Sequence, residues 1–306
     1  MKKYLLSVQN VKAHIGISHL TTKNKMNNGI PAFVKWAGGK KQLLEQFKPF
    51  FPKEVKRYFE PFVGGGAIAF YIMKHHKPQE VYLSDINEEL TNCLNVIRDD
   101  VENLIKDLIK LRKIHNKENY QKIRSEDPKL LSNLTRATRF IYLNKTCFNG
   151  LYRVNSKGEF NVPMGSYKNP SIVNEVELRE ISQLLKKATI QTSQFHETIK
   201  DAKKGDFIYF DPPYYPLNKT SSFTTYTKDK FLEKEQEHLA RVFKELDKKG
   251  CKVMLSNSDT KFVKDLYKGY NISMVKATRM INSDATKRGK INEVVITNYP
   301  IEQKKL

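Results

Sequence analysis

Short apolar blocks recur along the chain, and longer stretches with helical spacing of apolar residues separate them. Blocks rich in aromatic and β-branched side chains are typical of strands, whereas apolar residues at intervals of three or four are typical of helices. The pattern predicts strands at residues 57–62, 80–84, 189–192, 207–210, 253–255, 272–275 and 294–296. Strands that alternate with helices favour an α/β fold with a doubly wound, Rossmann-like sheet.

Helical patterns cover much of the remaining chain. They are predicted at 67–75, 90–97, 230–246 and 262–267, and a mostly helical region runs from 89 to 146. This region and the loop after it interrupt the alternation of strand and helix, so we predict that they form an inserted domain. The expected division is a flexible N-terminal extension at 1–30, a catalytic domain built from 31–88 and 176–300, an inserted domain at 89–175 and a tail at 301–306.

The apolar block at 207–210 ends in the sequence Asp211-Pro212-Pro213-Tyr214. A carboxylate at this position lies at the carboxyl edge of a predicted central strand, where open α/β sheets bind their ligands. The two prolines restrict the backbone that carries Tyr214. We therefore predict a reaction centre here, although a turn after a strand is the simpler interpretation of Asp-Pro-Pro taken alone.

Alkylation of a planar amino group is the chemistry that these four residues suit. The lone pair of an exocyclic amine on a heteroaromatic ring is delocalised, so the nitrogen is a poor nucleophile until hydrogen-bond acceptors localise the pair. An ionised Asp211 and the Pro212 carbonyl can each accept one hydrogen of the same NH2 group. Tyr214 could stack on the ring, a contact that contributes roughly 1–3 kcal/mol per base.

A glycine-rich turn, residues 62–66, follows the first predicted strand and precedes the predicted helix at 67–75. Gly64 and Gly66 would let the backbone approach a ligand closely. Asp85 ends the next strand and suits hydrogen bonding to ribose hydroxyls, or capping of the helix that follows. A nicotinamide fingerprint would need a third glycine where the chain has Ala69, which weakens the interpretation as a dehydrogenase.

The composition of the chain indicates what kind of partner it binds. The formal net charge of +21 and the pI near 9.6 favour a polyanion such as nucleic acid, unless they reflect a lysine-rich source. Apolar runs do not approach the roughly 20 residues that cross a bilayer, so no membrane partner is expected. The three cysteines are far apart and predict reduced thiols in a cytoplasmic protein, and no Cys or His set has the spacing of a metal site.

Asp-Pro-Pro-Tyr at 211–214, Lys-Trp-Ala-Gly-Gly-Lys at 35–40 and Phe-Val-Gly-Gly-Gly at 62–66 together resemble the Dam family, the D12 class of DNA adenine methyltransferases, and in particular its DpnII-type members. The resemblance runs from Pro31 to Tyr299 and implies methyl transfer from S-adenosylmethionine to the 6-amino group of a flipped adenine in GATC of double-stranded DNA. It implies catalysis by Asp211, Pro212, Pro213 and Tyr214. The residues it implies for the cofactor are Trp36, Lys40, Pro61, Phe62, Gly64, Gly66, Asp85 and Asp211.

Residues 147–170 mix turn signals with aromatic and basic side chains, which predicts an exposed hairpin or loop. The resemblance makes this segment the target-recognition loop. It places Phe148 and Asn149 at the opened base pair, Arg153 on a base edge, and Pro163 and Tyr167 along the DNA. Ser166 departs from the arginine that some relatives carry, which puts one outer contact in doubt.

Two further segments have predicted roles. Residues 221–226 are expected to line or close the pocket, and 281–290 to form a mobile basic loop near DNA. An RNA methyltransferase and a catalytically silent DNA-binding protein remain alternatives to the DNA enzyme. The sequence leaves open whether a cognate restriction endonuclease exists and what the oligomeric state is.

Overall fold

A computed structural model describes residues 29–36, 38–217, 231–278 and 290–301. The predicted extension up to residue 28, the 221–226 segment, the 281–289 loop and the tail from residue 302 lie outside these residues. Within the described ranges, no helix combines the length and the apolar character needed to cross a membrane.

A seven-stranded sheet forms the centre of the molecule, in the order β3-β2-β1-β4-β5-β7-β6. Its first five strands are parallel, while β7 runs antiparallel between β5 and β6. The fold is therefore the predicted α/β class with a mostly parallel sheet. The strands are β1 (Arg57–Glu60), β2 (Glu80–Asp85), β3 (Ala188–Thr192), β4 (Phe207–Phe210), β5 (Lys252–Ser258), β6 (Asn271–Thr278) and β7 (Lys290–Thr297).

The predicted strands all lie on observed ones, and the first is shorter than predicted. It ends at Glu60 because Pro61 has no N–H to donate to the ladder. Lys290, predicted as the last residue of the mobile loop, instead begins β7. All four residues of β4 are buried, as expected for a central parallel strand with both faces covered.

Helices cover both faces of the sheet, which makes it doubly wound. One core packs β1, β4 and β7 side chains such as Tyr58, Tyr209 and Val295 against the helices before β3. The other packs Ile208 and Phe210 against the helices after β3. The helices in the described ranges are α1 (Leu44–Phe47), α2 (Ala67–His75), α3 (Glu88–Asp99), α4 (Val101–Lys113), α5 (Lys117–Ser125), α6 (Asn133–Thr146), α7 (Glu175–Leu185), α8 (Phe195–Thr198), α9 (Glu233–Lys248) and α10 (Lys261–Leu266).

The region between β2 and β3 is mostly helical, as predicted. Its first helix, α3, packs on β2 and β3, and α6 in turn packs on α3. Apolar side chains of α4 and α6, including Leu104, Leu108 and Ile141, belong to the same core as the sheet residues on that face. A hairpin then follows α6, with isolated bridges between Cys147 and Met164 and between Val154 and Phe160. The predicted inserted domain at 89–175, separate from the catalytic domain, stays a prediction.

The order of the strands reverses between β1 and β4, which are neighbours in the sheet although two strands separate them in sequence. Loops that leave the carboxyl ends of such neighbours diverge to opposite faces and leave a crevice between them. The glycine turn follows β1, and Asp211 follows β4. The topology therefore brings together the two segments that the sequence singles out.

Candidate active site

Asp211 lies at the exit of β4 and forms an ion pair with Lys40. The Lys40 Nζ is 2.8 Å from Asp211 Oδ1, and the two side chains are 5% and 19% exposed. Lys40 begins a short 3-10 helix, Lys40–Leu43, and also donates to the Gly38 carbonyl at 2.7 Å. The structure thus places the lysine predicted for the cofactor directly against the predicted catalytic carboxylate.

A second donor reaches the same oxygen of Asp211. Ser256 of β5 donates its hydroxyl to Asp211 Oδ1 at 2.9 Å, and its oxygen is 2.8 Å from the Tyr209 hydroxyl. Burial raises the pKa of Asp211, while Lys40 and Ser256 act in the opposite direction. Among the described residues, no protein donor reaches Oδ2, so that oxygen can accept a hydrogen from a substrate.

The backbone of the motif is held from the opposite side. Gln236 of α9 is fully buried and donates to the Pro213 carbonyl at 2.9 Å, and Asn257 of β5 supports Gln236 with a hydrogen bond of 3.0 Å. Asn257 also accepts from the Tyr215 N–H at 3.1 Å. In the described part of the chain no donor meets the Pro212 carbonyl. Within the described ranges, the two acceptors proposed for the amine, Asp211 Oδ2 and this carbonyl, thus have no protein donor.

Tyr214 is fixed by its hydroxyl and its ring. The hydroxyl donates to Glu293 Oε2 of β7 at 2.7 Å. The Lys40 ammonium lies 4.8 Å from the centroid of the ring. Burial is the main cause of the raised pKa of the Tyr214 hydroxyl, so the group keeps its proton and acts as a donor.

The glycine turn at 62–66 is hydrogen-bonded to the Asp85 side chain. The Gly64 N–H donates to Asp85 Oδ2 at 3.1 Å, and the Asn87 N–H donates to Oδ1 at 3.0 Å. Burial raises the pKa of Asp85, and these backbone hydrogen bonds oppose that shift. The helix cap that was an alternative role for Asp85 belongs to Asn87, which accepts from the Leu90 N–H. An ionised carboxylate offers about four lone-pair sites, so Asp85 keeps acceptor capacity for a ligand hydroxyl.

Trp36 packs against this turn. A Cβ added to Gly64 would lie 2.9 Å from the indole, and one added to Gly65 would lie 3.0 Å from the Trp36 Cβ. Gly64 has a φ of 48° and the indole fills the space that its side chain would need, whereas a side chain at Gly65 would only press against the Trp36 Cβ. Trp36 also stacks on Tyr152 of the hairpin with ring centroids 5.7 Å apart.

Aromatic rings also border the start of the turn. Phe62 stacks on Phe195 at 5.5 Å between centroids and meets the edge of Phe231 at 5.7 Å. Pro61 accepts a hydrogen bond of 3.4 Å from the Ser84 hydroxyl through its carbonyl. These contacts give the carboxyl edge of β1 and β2 an apolar wall beside the carboxylate of Asp85.

The hairpin presents an exposed aromatic side chain. Phe148 is 52% exposed, and its N–H donates to the Pro163 carbonyl at 2.9 Å. Asn149 has a φ of 55°, a left-handed conformation that turns the chain sharply between Phe148 and Gly150. The structure therefore brings Phe148, Asn149 and Pro163 together at one end of the hairpin.

The other two predicted DNA contacts lie elsewhere on the same segment. Arg153 is exposed and donates from Nε to Asn161 Oδ1 at 2.8 Å. Tyr167 accepts from the Lys35 ammonium at 3.2 Å, and this ammonium also lies 4.5 Å from the ring centroid. Lys35 thus joins the group of basic and aromatic side chains.

A buried asparagine ties this hairpin to the cofactor segment. Asn144 of α6 accepts from the Lys35 N–H at 2.7 Å and donates to the carbonyls of Lys35 at 2.8 Å and Gly150 at 3.1 Å. It is 1% exposed. The side chain therefore holds the residue before Trp36 and the turn after Phe148 in one rigid arrangement.

Sequence reasoning missed several of these residues. Ser256 and Asn257 end a predicted strand, and that position at the carboxyl edge was a usable signal. Glu293 directly precedes the predicted strand at 294–296, but only the antiparallel direction of β7 brings it to the reaction centre. Asn144 lies in a helical pattern, and no feature of the neighbouring sequence indicates its role. Across the described ranges, no group of three or more His, Cys, Asp or Glu side chains is arranged to hold a metal ion.

Comparison with known proteins identifies the family of the chain. Residues 36–281 match the family of D12 class N6 adenine-specific DNA methyltransferases. The chain is 47% identical to the type II methyltransferase M.MjaIII of Methanocaldococcus jannaschii, over 88% of this chain and 99% of that protein. It is 43% identical to the type II methyltransferase M1.LlaDCHI of Lactococcus lactis, over 92% and 99% of the two chains. A DNA adenine methylase of Vibrio cholerae is 35% identical over 88% and 96%. The chain therefore belongs to the D12 class of N6 adenine-specific DNA methyltransferases.

Proposed function

We propose that the chain methylates the 6-amino group of an adenine that is flipped out of double-stranded DNA, within the site GATC. The arrangement of Asp211 supports an amino group as the target, and the resemblance to the Dam family is the support for GATC. Lys40 and Ser256 occupy one of its oxygens, while the other oxygen and the Pro212 carbonyl have no donor among the described residues. Two acceptors on one edge of the sheet suit the two hydrogens of a single amino group.

The target amine is hidden inside a base pair, so the adenine must leave the stack to reach Asp211, at a cost of a few kcal/mol. Stacking on the Tyr214 ring, which Glu293 holds by its hydroxyl, offsets part of that cost. Hydrogen bonds to Asp211 and Pro212 draw the nitrogen lone pair out of the ring. The nitrogen can then attack a carbon held in line with it, and positioning supplies most of the rate.

S-adenosylmethionine is the methyl donor of this family, and the residues present fit it. When bound, it supplies an electrophilic methyl group on a sulfonium. Asp85 offers carboxylate oxygens to ribose hydroxyls, and Phe62 with its aromatic neighbours offers an apolar wall to the adenine ring. We assign the cofactor to Trp36, Lys40, Pro61, Phe62, Gly64, Gly66, Asp85 and Asp211.

The hairpin residues supply the DNA contacts in this proposal. Phe148, an exposed aromatic ring, can enter the space left by the flipped base. Arg153 uses Nε for Asn161 and has no partner for its terminal guanidinium nitrogens among the described residues, so they can meet the edge of a guanine. Asn149, Pro163 and Tyr167 complete the DNA-facing set, and the support for them is their position on the same segment as Phe148.

Methyl incorporation into matched substrates tests the proposal. The full-length chain should methylate a GATC duplex and leave a scrambled duplex and an RNA of the same sequence unmethylated. Asp211→Ala should lower the rate by more than about 100-fold, because it removes an acceptor that acts in the transition state, while duplex binding stays unchanged. Equal incorporation into RNA, or transfer by Asp211→Ala at the wild-type rate, would contradict it.

The names of two relatives as type II methyltransferases support a place for the chain in a restriction–modification system. Plasmid DNA from cells that express the chain tests the site itself, and it should resist an endonuclease that cuts unmethylated GATC. Plasmid from cells with the Asp211→Ala variant is the control and should be cut. Cutting of both plasmids would show that GATC is not the site.

A further inference from the structure

We propose that Glu293 is a positioning residue for methyl transfer, which holds the Tyr214 ring in the orientation that stacks the target base. This inference rests on the proposed function of the Asp211 site. Glu293 lies near the start of β7, the antiparallel strand between β5 and β6. Because β7 runs opposite to β4 and β5, its beginning lies at the edge of the sheet where those strands end.

The contact between the two side chains is direct. The Tyr214 hydroxyl donates to Glu293 Oε2 at 2.7 Å across 79 positions of sequence. Glu293 is paired with Ser258 of β5 and Val275 of β6 in the ladder, so a strand with neighbours on both sides holds its backbone. A rigid acceptor at the far end of the ring limits rotation of Tyr214 about both of its side-chain torsions.

Lys40 defines which face of the ring is available. Its ammonium lies 4.8 Å from the ring centroid and 2.8 Å from Asp211 Oδ1. With the ammonium over one face, a base can stack only on the other. The same ammonium contacts the Asp211 carboxylate, through Oδ1, and the stacking ring, so a tilt of Tyr214 would move the base relative to Asp211.

Glu293 is also electrostatically connected to this pair. Burial raises its pKa, the charge of Lys40 and the Tyr214 hydrogen bond lower it, and the charge of Asp211 raises it again. Lys40 thus lies among two carboxylates and one phenol ring. Glu293 therefore belongs to the same polar cluster as the reaction centre, although its own oxygens contact the tyrosine and not the acceptors of the amine.

A second tyrosine–glutamate pair provides a matched control. The adjacent Tyr215 donates its hydroxyl to Glu233 Oε1 at 2.9 Å, but this pair is exposed. Tyr215 packs on Phe262, at the core that contains Ile208 and Phe210, and its hydroxyl contacts neither Asp211 nor the Tyr214 ring among the described residues. Glu233→Ala removes the same kind of hydrogen bond one residue further along and should leave the rate unchanged.

A double-mutant cycle on the full-length chain tests the proposal. Single-turnover methyl transfer at saturating S-adenosylmethionine and DNA is measured for Glu293→Ala, Tyr214→Phe and the double variant. Each single change should lower the rate about tenfold, and the double variant should be no slower than the slower single variant, because both delete one hydrogen bond. Glu293→Gln keeps an acceptor oxygen and should restore most of the rate. The dissociation constant for S-adenosylmethionine should stay unchanged throughout.

The outcomes separate this proposal from the proposed function. The cycle is run on whichever duplex the wild-type chain methylates, identified by sequencing of methylated DNA, so a site other than GATC leaves the test intact. Rates within about twofold of wild type for Glu293→Ala, or losses that multiply in the double variant, would overturn the positioning role. Equal loss in Glu293→Gln, with weaker cofactor binding and a lower melting temperature, would show a purely structural role and also overturn it.

Discussion

At the scale of single residues, the protonation state of Asp211 depends on Lys40. Burial raises the pKa of this carboxyl, and the ammonium 2.8 Å away opposes the shift. Methyl transfer needs the ionised form, because a proton on Oδ2 would turn the oxygen proposed to accept from the amine into a donor. The rate should therefore fall as the pH is lowered through the pKa of Asp211.

Replacement of Lys40 by methionine should shift the fall in rate at low pH, called the acid limb, to higher pH. Without the cation the pKa of Asp211 rises further, so the fall in rate begins at a higher pH than in the wild-type protein. Single-turnover rates across pH, at saturating cofactor, measure the shift. Lys41→Met changes the neighbouring exposed lysine and should leave the limb in place. An unmoved limb in Lys40→Met would show that another group sets the pH dependence.

Phe148 is expected to matter for DNA and not for folding. Its ring is 52% exposed, so Phe148→Ala should change the free energy of unfolding by less than about 0.5 kcal/mol. Loss of a base contact worth roughly 1–3 kcal/mol should reduce methylation of duplex about tenfold or more. Leu130→Ala removes an 84% exposed side chain between α5 and α6 and serves as the control. The same rate for both variants would remove Phe148 from the DNA-reading set.

At the scale of elements, the turn between β1 and α2 owes its shape to conformations that favour glycine. Gly66 has a φ of 74°, and a Cβ there would lie 2.5 Å from the buried ring of Phe70. Gly205, before β4, has a φ of 89° with no atom within 4 Å of an added Cβ. A side chain at Gly205 would meet backbone strain alone, whereas one at Gly66 would meet both backbone strain and steric overlap.

Gly205→Ala should lower the free energy of unfolding by about 1–2 kcal/mol, the strain of a left-handed L-residue. Gly66→Ala should lower the free energy of unfolding by about 1–3 kcal/mol more than Gly205→Ala does, because Phe70 in the core cannot move aside. Denaturant titrations of both variants measure the difference. Equal losses would mean that the turn relaxes around an added side chain.

At the scale of the whole molecule, the net charge of +21 predicts association with DNA that depends strongly on salt. If 6–10 phosphates are neutralised, affinity should fall by about 10³–10⁵ between roughly 50 and 200 mM salt. Cofactor binding releases no such counterions and should change little. Titrations of duplex and of S-adenosylmethionine across salt concentration make this comparison, and a flat DNA profile would show that the charge is not used on phosphate.

Much of the architecture follows from local pattern. The strand at 207–210 and the helix at 67–75 match β4 and α2 residue for residue, because a short buried aromatic block and a glycine-bounded apolar helix are set by nearby residues. Asp85 and Asp211 were assigned to the carboxyl edge because parallel strands all end there. These features depend on spacing, which the sequence displays directly.

Contacts between distant segments were decided only by the tertiary structure. Three contacts join parts of the chain that are more than 75 positions apart. They are the ion pair of Lys40 with Asp211, the hydrogen bonds of Asn144 with Lys35, and the hydrogen bond from Tyr214 to Glu293. The direction of β7 is the clearest case, since a strand pattern is the same whether the strand runs parallel or antiparallel. The sequence alone determined the positions of the strands, the glycine turn and the Asp-Pro-Pro-Tyr motif, because local sterics and periodicity suffice for them. The partners that hold the motif depend on topology and on side-chain packing, which no local pattern encodes.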